Sequence, residues 1–443
     1  MSERTAFGAA ADRAGFWCPS CVNGHQSDIM ENSPLPIMDH LTPHQPQIQS
    51  LTGLRFIAAF SIAFGHIIPA TVTVMGLPLN GTTMLGMPIF FTLSGFIIHY
   101  IYSEAFALSW RGAAADFAVA RFSRIYPLYF ILFLYILVKT PMGARLAQPD
   151  GLPILWAYLL GITTWLPFAI DGKLIGQWWY GISWSVSTEI FFYICYALFL
   201  YRMSRMRLRQ AAIALIACIL VSFVAAYLLF VTKDAWETWI LARYPTLISR
   251  QDDFPDSFYR WALYFSPYAQ MPCFIAGVLT CQIFLRIKSS ALAARIPADT
   301  LAWGAAIGIA VVWVALLAGG FTQPWLSSTN WMAFLVTLHL NILFMPACCV
   351  LIFALVVRRT HIGAVLSVPT VVFLGEVSYS TYLGHPIAIR LAGHPTAGAP
   401  VAVKVVAALV ATYLLSMLLS RCVEIPAKRF LRRAWMKWAE FAT

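Results

Sequence analysis

Charged side chains are scarce in this sequence. Only 11% of the 443 residues are Asp, Glu, Lys or Arg, whereas 60% are hydrophobic. A typical soluble domain has about 25% charged residues, and a soluble core of this length would leave much apolar surface in water. The scarcity of charge therefore excludes an ordinary soluble protein and indicates that a lipid bilayer surrounds most of the chain.

Several signatures of soluble enzymes are also missing. The sequence has no glycine-rich phosphate loop and no Ser–His–Asp order. Its nine cysteines lie mostly alone in apolar blocks, where they act as small hydrophobic side chains, so no disulfide framework is predicted. Cys18 and Cys21, with His25 nearby, have the spacing of half a zinc site, but no second pair follows. We therefore expect an unstructured tail there and no metal.

The first 50 residues differ from the rest of the chain. They are polar, rich in Pro, His, Ser and Gln and without periodicity, and they lack the apolar core of a signal peptide. This composition predicts a disordered cytoplasmic leader over residues 1–50, with Met38 as an alternative start. Residues 51–433 are predicted to form one membrane domain, and residues 434–443 a short cytoplasmic tail.

Apolar blocks follow one another through the membrane domain. Blocks of about 20 residues match the hydrocarbon thickness as helices, because backbone groups in lipid must satisfy one another within a segment. The fold class is therefore predicted to be an all-α, polytopic helix bundle. The candidate spans are 53–74, 83–101, 122–138, 152–168, 181–201, 210–231, 262–285, 301–320, 333–357, 370–390 and 399–420.

The basic residues between these blocks orient the chain. The net charge is +11, but the cations do not share one polar face, which excludes nucleic acid as a partner; the positive-inside rule explains them better. Parity between the cationic loops requires that 152–168 does not cross. We therefore predict about ten spans, one re-entrant or interfacial segment over 152–168, and both termini in the cytoplasm.

Two ionisable residues share one face of the first span. Arg55 and His66 are eleven residues apart, which is three helical turns plus about 20°, with a rise of roughly 16 Å. Arg55 is predicted at the cytoplasmic surface and His66 near mid-membrane. Buried ionisable residues in membranes are usually functional, and a neutral imidazole suits a general base for a hydroxyl. Helix–helix hydrogen bonding is the alternative.

Three further polar groups are candidates for chemistry. Glu189, on the span that begins near Trp184, is predicted to orient His66 as a carboxylate partner, with pairing to an arginine as the alternative. Arg121 and Arg124 share a face at the mouth of the third span. Together with Arg55 they are predicted to hold the phosphates of a coenzyme A thioester, with positive-inside anchoring as the alternative.

Polar positions on two other spans complete the set. Ser94 lies among small residues in an aromatic block, where a ligand or a second helix can approach closely. His99, nearer the inner end of that span, is expected to have an interfacial role. A polar run in the outer half of the span 370–390, which includes Tyr379, Tyr382 and His385, is predicted to contact a hydroxylated acceptor, with interhelical hydrogen bonding as the alternative.

These motifs resemble acyltransferase family three, the bacterial integral-membrane O-acyltransferases of lipopolysaccharide, exopolysaccharide, Nod factor and macrolide type. Arg55 and His66 are similar to its Arg-x10-His signature, and one departure is Gly384, where members often have Trp. The other matching segments are Phe90-Phe-Thr-Leu-Ser-Gly-Phe96, Arg121-Phe-Ser-Arg-Ile-Tyr-Pro127, Trp184-Ser-Val-Ser-Thr-Glu-Ile-Phe-Phe-Tyr193, Gly375–His385 and Glu424-Ile-Pro426.

The resemblance implies an enzyme of the bacterial inner membrane. It would take an acyl group, acetyl by default, from cytoplasmic acyl-CoA to a hydroxyl of a cell-surface or lipid-linked carbohydrate. His66 would be the essential base or acyl relay, with Glu189 tuning it, and Ser94, Trp184, Tyr379, Tyr382 and His385 would contact substrate. The alternatives are a transporter or flippase for a polar lipid-linked molecule, without acyl chemistry, and a lipid-biosynthetic scaffold.

Overall fold

The computed structural model describes residues 48–149, 151–243, 258–318, 342–393, 396 and 398–442. Residues 1–47 of the predicted leader, with Cys18 and Cys21, lie outside the described residues. Within the described part the chain is all-α apart from two short hairpins, as predicted. The elements are α1 (Gln49–Ile67), β1 (Thr73–Val74), β2 (Leu77–Pro78), α2 (Thr83–Leu108), α3 (Trp110–Lys139), α4 (Met142–Leu146), α5 (Gly151–Leu160), β3 (Ala169–Ile170), β4 (Lys173–Leu174), α6 (Ser183–Leu198), α7 (Leu208–Val231), α8 (Lys233–Arg243), α9 (Phe258–Arg260), α10 (Pro267–Ile287), α11 (Ala291–Arg295), α12 (Ala298–Ala318), α13 (Met345–Val357), α14 (His361–Leu366), α15 (Pro369–Glu376), α16 (Ser378–Gly393), α17 (Val401–Leu419) and α18 (Ile425–Ala442).

Seven helical segments of the described chain are long and apolar enough to cross a membrane, which confirms the polytopic bundle. Three more predicted spans coincide with shorter helices: α6, α13 and the pair α15–α16, which is interrupted at Val377. The total of ten crossings stays a prediction. The seven segments are Gln49–Ile67, Leu79–Leu108, Trp110–Lys139, Leu208–Val231, Trp261–Ile287, Ala298–Ala318 and Val401–Phe441.

The segment predicted not to cross contains only the short helix α5. Its ten residues have a length of roughly 15 Å, which is half of the hydrocarbon thickness. A helix of this length fits a re-entrant or interfacial segment.

The first helix ends earlier than its apolar run. Ile68 is extended (φ −78°, ψ 128°), because the ring of Pro69 disfavours the helical conformation in the residue before it. His66 therefore lies in the last turn of α1, and its depth near mid-membrane stays a prediction. Arg55 is half-buried, almost two turns after the start of α1.

Two hairpins close the bundle near this end of α1. Each has two central residues with positive φ: 53° at Met75 and 78° at Gly76, then 51° at Asp171 and 75° at Gly172. Pairs of this kind form type I′ turns, which match the twist of short antiparallel strands. The hairpins return the chain to α2 and to the segment before α6, which both line the cavity around His66.

The packing of α2 against α10 is the most extensive helix contact in the described chain. A methyl group added at Gly95 would lie 2.0 Å from the carbonyl oxygen of Phe274, and one at Gly277 would lie 1.9 Å from that of Thr92. Only glycine allows two helix backbones to approach so closely. This crossing fixes the part of α2 that carries Ser94.

His99, for which an interfacial role is expected, is buried inside the bundle. Its Nε2 atom lies 3.2 Å from Oε1 of Gln282, and its Nδ1 atom lies 3.3 Å from the hydroxyl of Tyr196. The amide of Gln282 donates to the carbonyl oxygens of Ser204 and Met206. His99 thus links α2, α6 and α10 to the basic segment after α6.

Candidate active site

Three cavities lie in series through the bundle, and each shares lining residues with the next. The first, which we call the basic cavity, has a volume of about 500 Å³, and the middle cavity has about 80 Å³. The third, the histidine cavity, has about 530 Å³. Arg55, Ile97 and Arg124 line both the basic and the middle cavity, whereas Met87 and Tyr382 line both the middle and the histidine cavity. The lining residues of the three cavities therefore form a continuous path from Arg55 to His66.

The basic cavity is rich in cations. Arg55 of α1 and Arg124 of α3 are joined there by Arg421 and Lys428, which follow α17. The carboxylates of Glu376 and Glu424 also line it, and the hydroxyl of Ser380 donates to Glu424 at 2.7 Å. Four cations and two carboxylates leave an excess of positive charge, which favours anionic ligands.

Glu189 lines the middle cavity with Arg55, Arg121 and Arg124 and is its only carboxylate among the described residues. Its hydrogen-bond partner is the hydroxyl of Tyr193, one turn later on α6. The expected contact between Glu189 and His66 is therefore not formed. Glu189 instead provides negative charge beside three guanidinium groups.

Arg121 is buried in an aromatic cage, with 9% of its surface exposed. Its guanidinium carbon lies 5.0 Å from the ring centre of Tyr102 and 5.6 Å from those of Phe117 and Tyr193. Its Nη2 atom donates to the hydroxyl of Tyr102 at 3.0 Å. Arg121 touches the middle cavity but not the basic cavity, so it lies deeper than a phosphate site at the mouth requires.

His66 contacts a second histidine across the bundle. Its Nδ1 atom lies 3.1 Å from Nε2 of His385 on α16, and the two rings are nearly parallel, at 12°. His385 is buried, whereas His66 is exposed to the histidine cavity. The pair places an imidazole with a buried partner on the wall of a cavity.

Pro386 explains which nitrogen atoms of the pair carry protons. Proline has no N–H group, so the carbonyl of Tyr382, four residues earlier, has no helical donor. Nδ1 of His385 lies 2.6 Å from that carbonyl oxygen and must donate to it, which leaves Nε2 of His385 as an acceptor. Nδ1–H of His66 then donates to His385, and the lone pair on Nε2 of His66 is available as a base.

The histidine cavity has an aromatic and cationic wall. Trp178, Trp179 and Trp184 line it, together with Arg260 and Arg390. The indoles of Trp178 and Trp179 lie 5.8 Å apart, edge to face. Such a wall combines apolar surfaces with a few hydrogen-bond donors, which is typical of small-molecule sites.

The remaining predicted residues lie along the path. Ser94 and Tyr379 line the middle cavity, and the hydroxyl of Tyr379 donates to the carbonyl of Ile125 at 2.8 Å. Tyr382 lies between the middle and histidine cavities, with its hydroxyl 2.6 Å from that of Ser185. Gly384 faces α17, 3.2 Å from Leu419 for an added methyl group, so the departure from the family motif lies away from the path.

Several cavity residues were not predicted from the sequence. Arg421, Lys428, Trp178 and Trp179 are not among the candidates that the sequence motifs indicate. Pro386 is not among them either. The one local signal for its role is the His–Pro pair, because a proline always leaves a carbonyl without its helical donor.

The chain was compared with known proteins. A family model described as "Acyltransferase domain" matches residues 48–421, which contain α1 to α17 and all three cavities apart from a few residues after α17. Neither the curated proteins nor the solved structures gave a match. The match extends over most of the chain and agrees with the motifs around His66 and Arg124. This multi-pass membrane protein therefore belongs to acyltransferase family three.

Proposed function

We propose that the protein moves an acyl group, acetyl by default, from coenzyme A to a hydroxyl of a cell-surface or lipid-linked carbohydrate. The observation that carries this proposal is the series of three cavities, with the basic cavity at one end and the His66–His385 pair at the other. Donor and acceptor would enter from opposite ends. With both termini in the cytoplasm of a bacterial cell, the basic cavity would face the cytoplasm and the histidine cavity the outer side of the inner membrane.

The basic cavity suits the nucleotide end of the donor. The phosphates of coenzyme A carry several negative charges, and guanidinium groups bind phosphates with paired hydrogen bonds. Arg55 and Arg124 line both this cavity and the next, so they would hold the donor where its thin thioester arm enters the bundle. Arg421 and Lys428 would add charge at the mouth.

The histidine pair supplies the proton transfer. Nε2 of His66 would take the proton of the acceptor hydroxyl while the hydroxyl oxygen attacks the thioester carbonyl carbon. The carbon–sulfur bond then breaks, and the imidazolium returns the proton to the leaving thiolate. His385 would hold the ring by accepting from Nδ1–H, the role that sequence reasoning gave to Glu189.

The test measures transfer of labelled acetyl from acetyl-CoA to envelope glycans by purified protein in nanodiscs. We expect His66→Ala to abolish transfer at normal protein levels, because no other described histidine on the path is exposed. His361→Ala is the matched control, since His361 is paired with Asp299 at the surface and should retain full activity. Transfer that persists in His66→Ala would overturn the mechanism.

The acceptor is identified by a second measurement. Envelope glycans from cells with and without the protein are compared by mass. A difference of one acetyl group in a glycan supports the proposal. A transporter would leave the label on coenzyme A and the glycan mass unchanged.

A further inference from the structure

The charge of the histidine cavity has one sign. Among the described residues its lining contains Arg260 and Arg390 together with His66 and His385, and it contains no Asp or Glu. An acceptor carbohydrate that carries only hydroxyl groups does not need an excess of positive charge in its binding site. A cavity that is cationic and walled by apolar rings concentrates anions.

Arg390 is the cation best placed to bind a ligand. It lies in the last turn of α16, five residues after His385, and it is exposed. In the described chain it takes part in neither of the two ion pairs, Arg145–Asp171 and His361–Asp299. A cation at a helix C-terminus interacts favourably with the helix dipole. The dipole alone does not explain why Arg390 lines the cavity that holds His66.

A second donor in the same wall lacks an acceptor. Nε1 of Trp179 is buried and has no hydrogen-bond partner among the described residues. Buried N–H groups are nearly always paired, and the neighbouring ring of Trp178 offers an apolar surface beside it. A sugar ring with an oxygen acceptor would satisfy both features.

We infer that the histidine cavity binds an anionic sugar, with the guanidinium of Arg390 on its carboxylate and the Trp178–Trp179 pair against its ring. The inference rests on the proposed function, because the bound sugar would be the acyl acceptor. Guanidinium and carboxylate form paired hydrogen bonds. The chemical class of the acceptor is then an acidic glycan, such as one that contains uronic acid.

The test compares two probes that differ only in whether their carboxyl groups are charged. The full chain in nanodiscs of zwitterionic lipid is dialysed against an oligosaccharide of glucuronic acid and against its methyl ester. We expect the acid to bind at least ten-fold more tightly than the ester, with a preference that weakens as salt is raised. Equal binding of acid and ester would overturn the inference.

Variants locate the source of the preference. Arg390→Gln should remove it, and Arg390→Lys should keep part of it, because lysine retains the charge but not the planar fork. Lys404→Gln, in the exposed first turn of the next helix, is the matched control and should leave binding unchanged. A preference that persists in Arg390→Gln would contradict the inference.

Two more measurements distinguish the sugar site from a lipid site and from the acyl transfer itself. If anionic lipid in the nanodisc displaces the acid, the bound group is a lipid phosphate and the inference falls. Acetyl transfer to the acid is measured on the same samples. If the acid binds preferentially but receives no acetyl group, the sugar site stands and the proposed function is overturned. If the acid receives an acetyl group but does not bind preferentially, the proposed function stands and the sugar site is overturned.

Discussion

The Nδ1 atom of His66 lies 3.1 Å from Nε2 of His385, although 319 residues separate the two in the chain. The contact joins the predicted spans 53–74 and 370–390. It gives the family's histidine a neutral partner where sequence reasoning expected a carboxylate.

Removing the partner imidazole should slow transfer without weakening donor binding. In His385→Leu, Nδ1–H of His66 loses its acceptor and the ring loses its orientation. Residues that orient a reactive group typically contribute ten- to a hundred-fold, so we expect kcat to fall by about that factor with an unchanged KM for acetyl-CoA. Steady-state kinetics check this.

His385→Gln is the informative companion. Its amide oxygen can accept from His66, so it should retain more activity than the leucine variant. Equal activity of the two variants would mean that His385 only fills space.

Replacing Pro386, the residue after His385, should loosen the same pair. Pro386→Ala restores an N–H that can bond the carbonyl of Tyr382 and compete with His385. We expect kcat to fall several-fold, with normal thermal stability. Pro272→Ala is the control, because Pro272 also lies inside a helix but lines none of the three cavities. An equal loss of activity in Pro386→Ala and Pro272→Ala would contradict the role of Pro386 in orienting His385.

The basic cavity should recognise the phosphates and not the acyl group. Arg124→Gln removes one charge-assisted contact, so we expect KM for acetyl-CoA to rise about ten-fold. KM for acetyl-pantetheine, which lacks the nucleotide, should stay the same. Arg202→Gln serves as the control, because Arg202 lines none of the three cavities. An equal rise for both donors would remove the phosphate role.

Arg121 should behave as a structural residue. Its cage of three rings and its bond to Tyr102 require a flat guanidinium, so Arg121→Lys should cost about 1–3 kcal/mol. A lower melting temperature in detergent would show this. Arg124→Lys should leave melting unchanged. If Arg121→Lys instead raises KM for acetyl-CoA at normal stability, Arg121 belongs to the donor site.

The contact between α2 and α10 should not tolerate a methyl group. In Gly277→Ala the new atom would clash with the backbone of Thr92, at a cost of about 1–3 kcal/mol. Gly308→Ala has open space around it and should be neutral or slightly stabilising, since alanine favours helices. Melting temperatures of the two variants check the difference, and equal values would refute the packing argument.

The sequence predicted local features well. Helical periodicity placed Arg55 and His66 on one helix, and apolar blocks predicted most of the helices. The early end of α1 was visible in Pro69, whose effect on Ile68 is local. The bond between Glu189 and Tyr193 was also within reach, because residues four apart on a helix are neighbours.

Long-range pairings were beyond such reasoning. Nothing in one sequence fixes the register of α16 against α1, on which the contact between His385 and His66 depends. The same applies to Lys428, which reaches the basic cavity only because the chain after α17 packs beside α3. A cation near a helix end is equally consistent with anchoring at the membrane surface and with binding of an anionic ligand.

The middle cavity is a constriction between the two larger cavities. Its volume of about 80 Å³ is roughly one sixth of the volume of the cavity on either side. Aromatic side chains such as Phe91 and Tyr379 form its wall. Under the proposed reaction, the arm of the donor would occupy this constriction and separate the two larger cavities while the donor is bound. Water in the cavity on one side would thus be kept apart from water on the other side for as long as the donor stays bound.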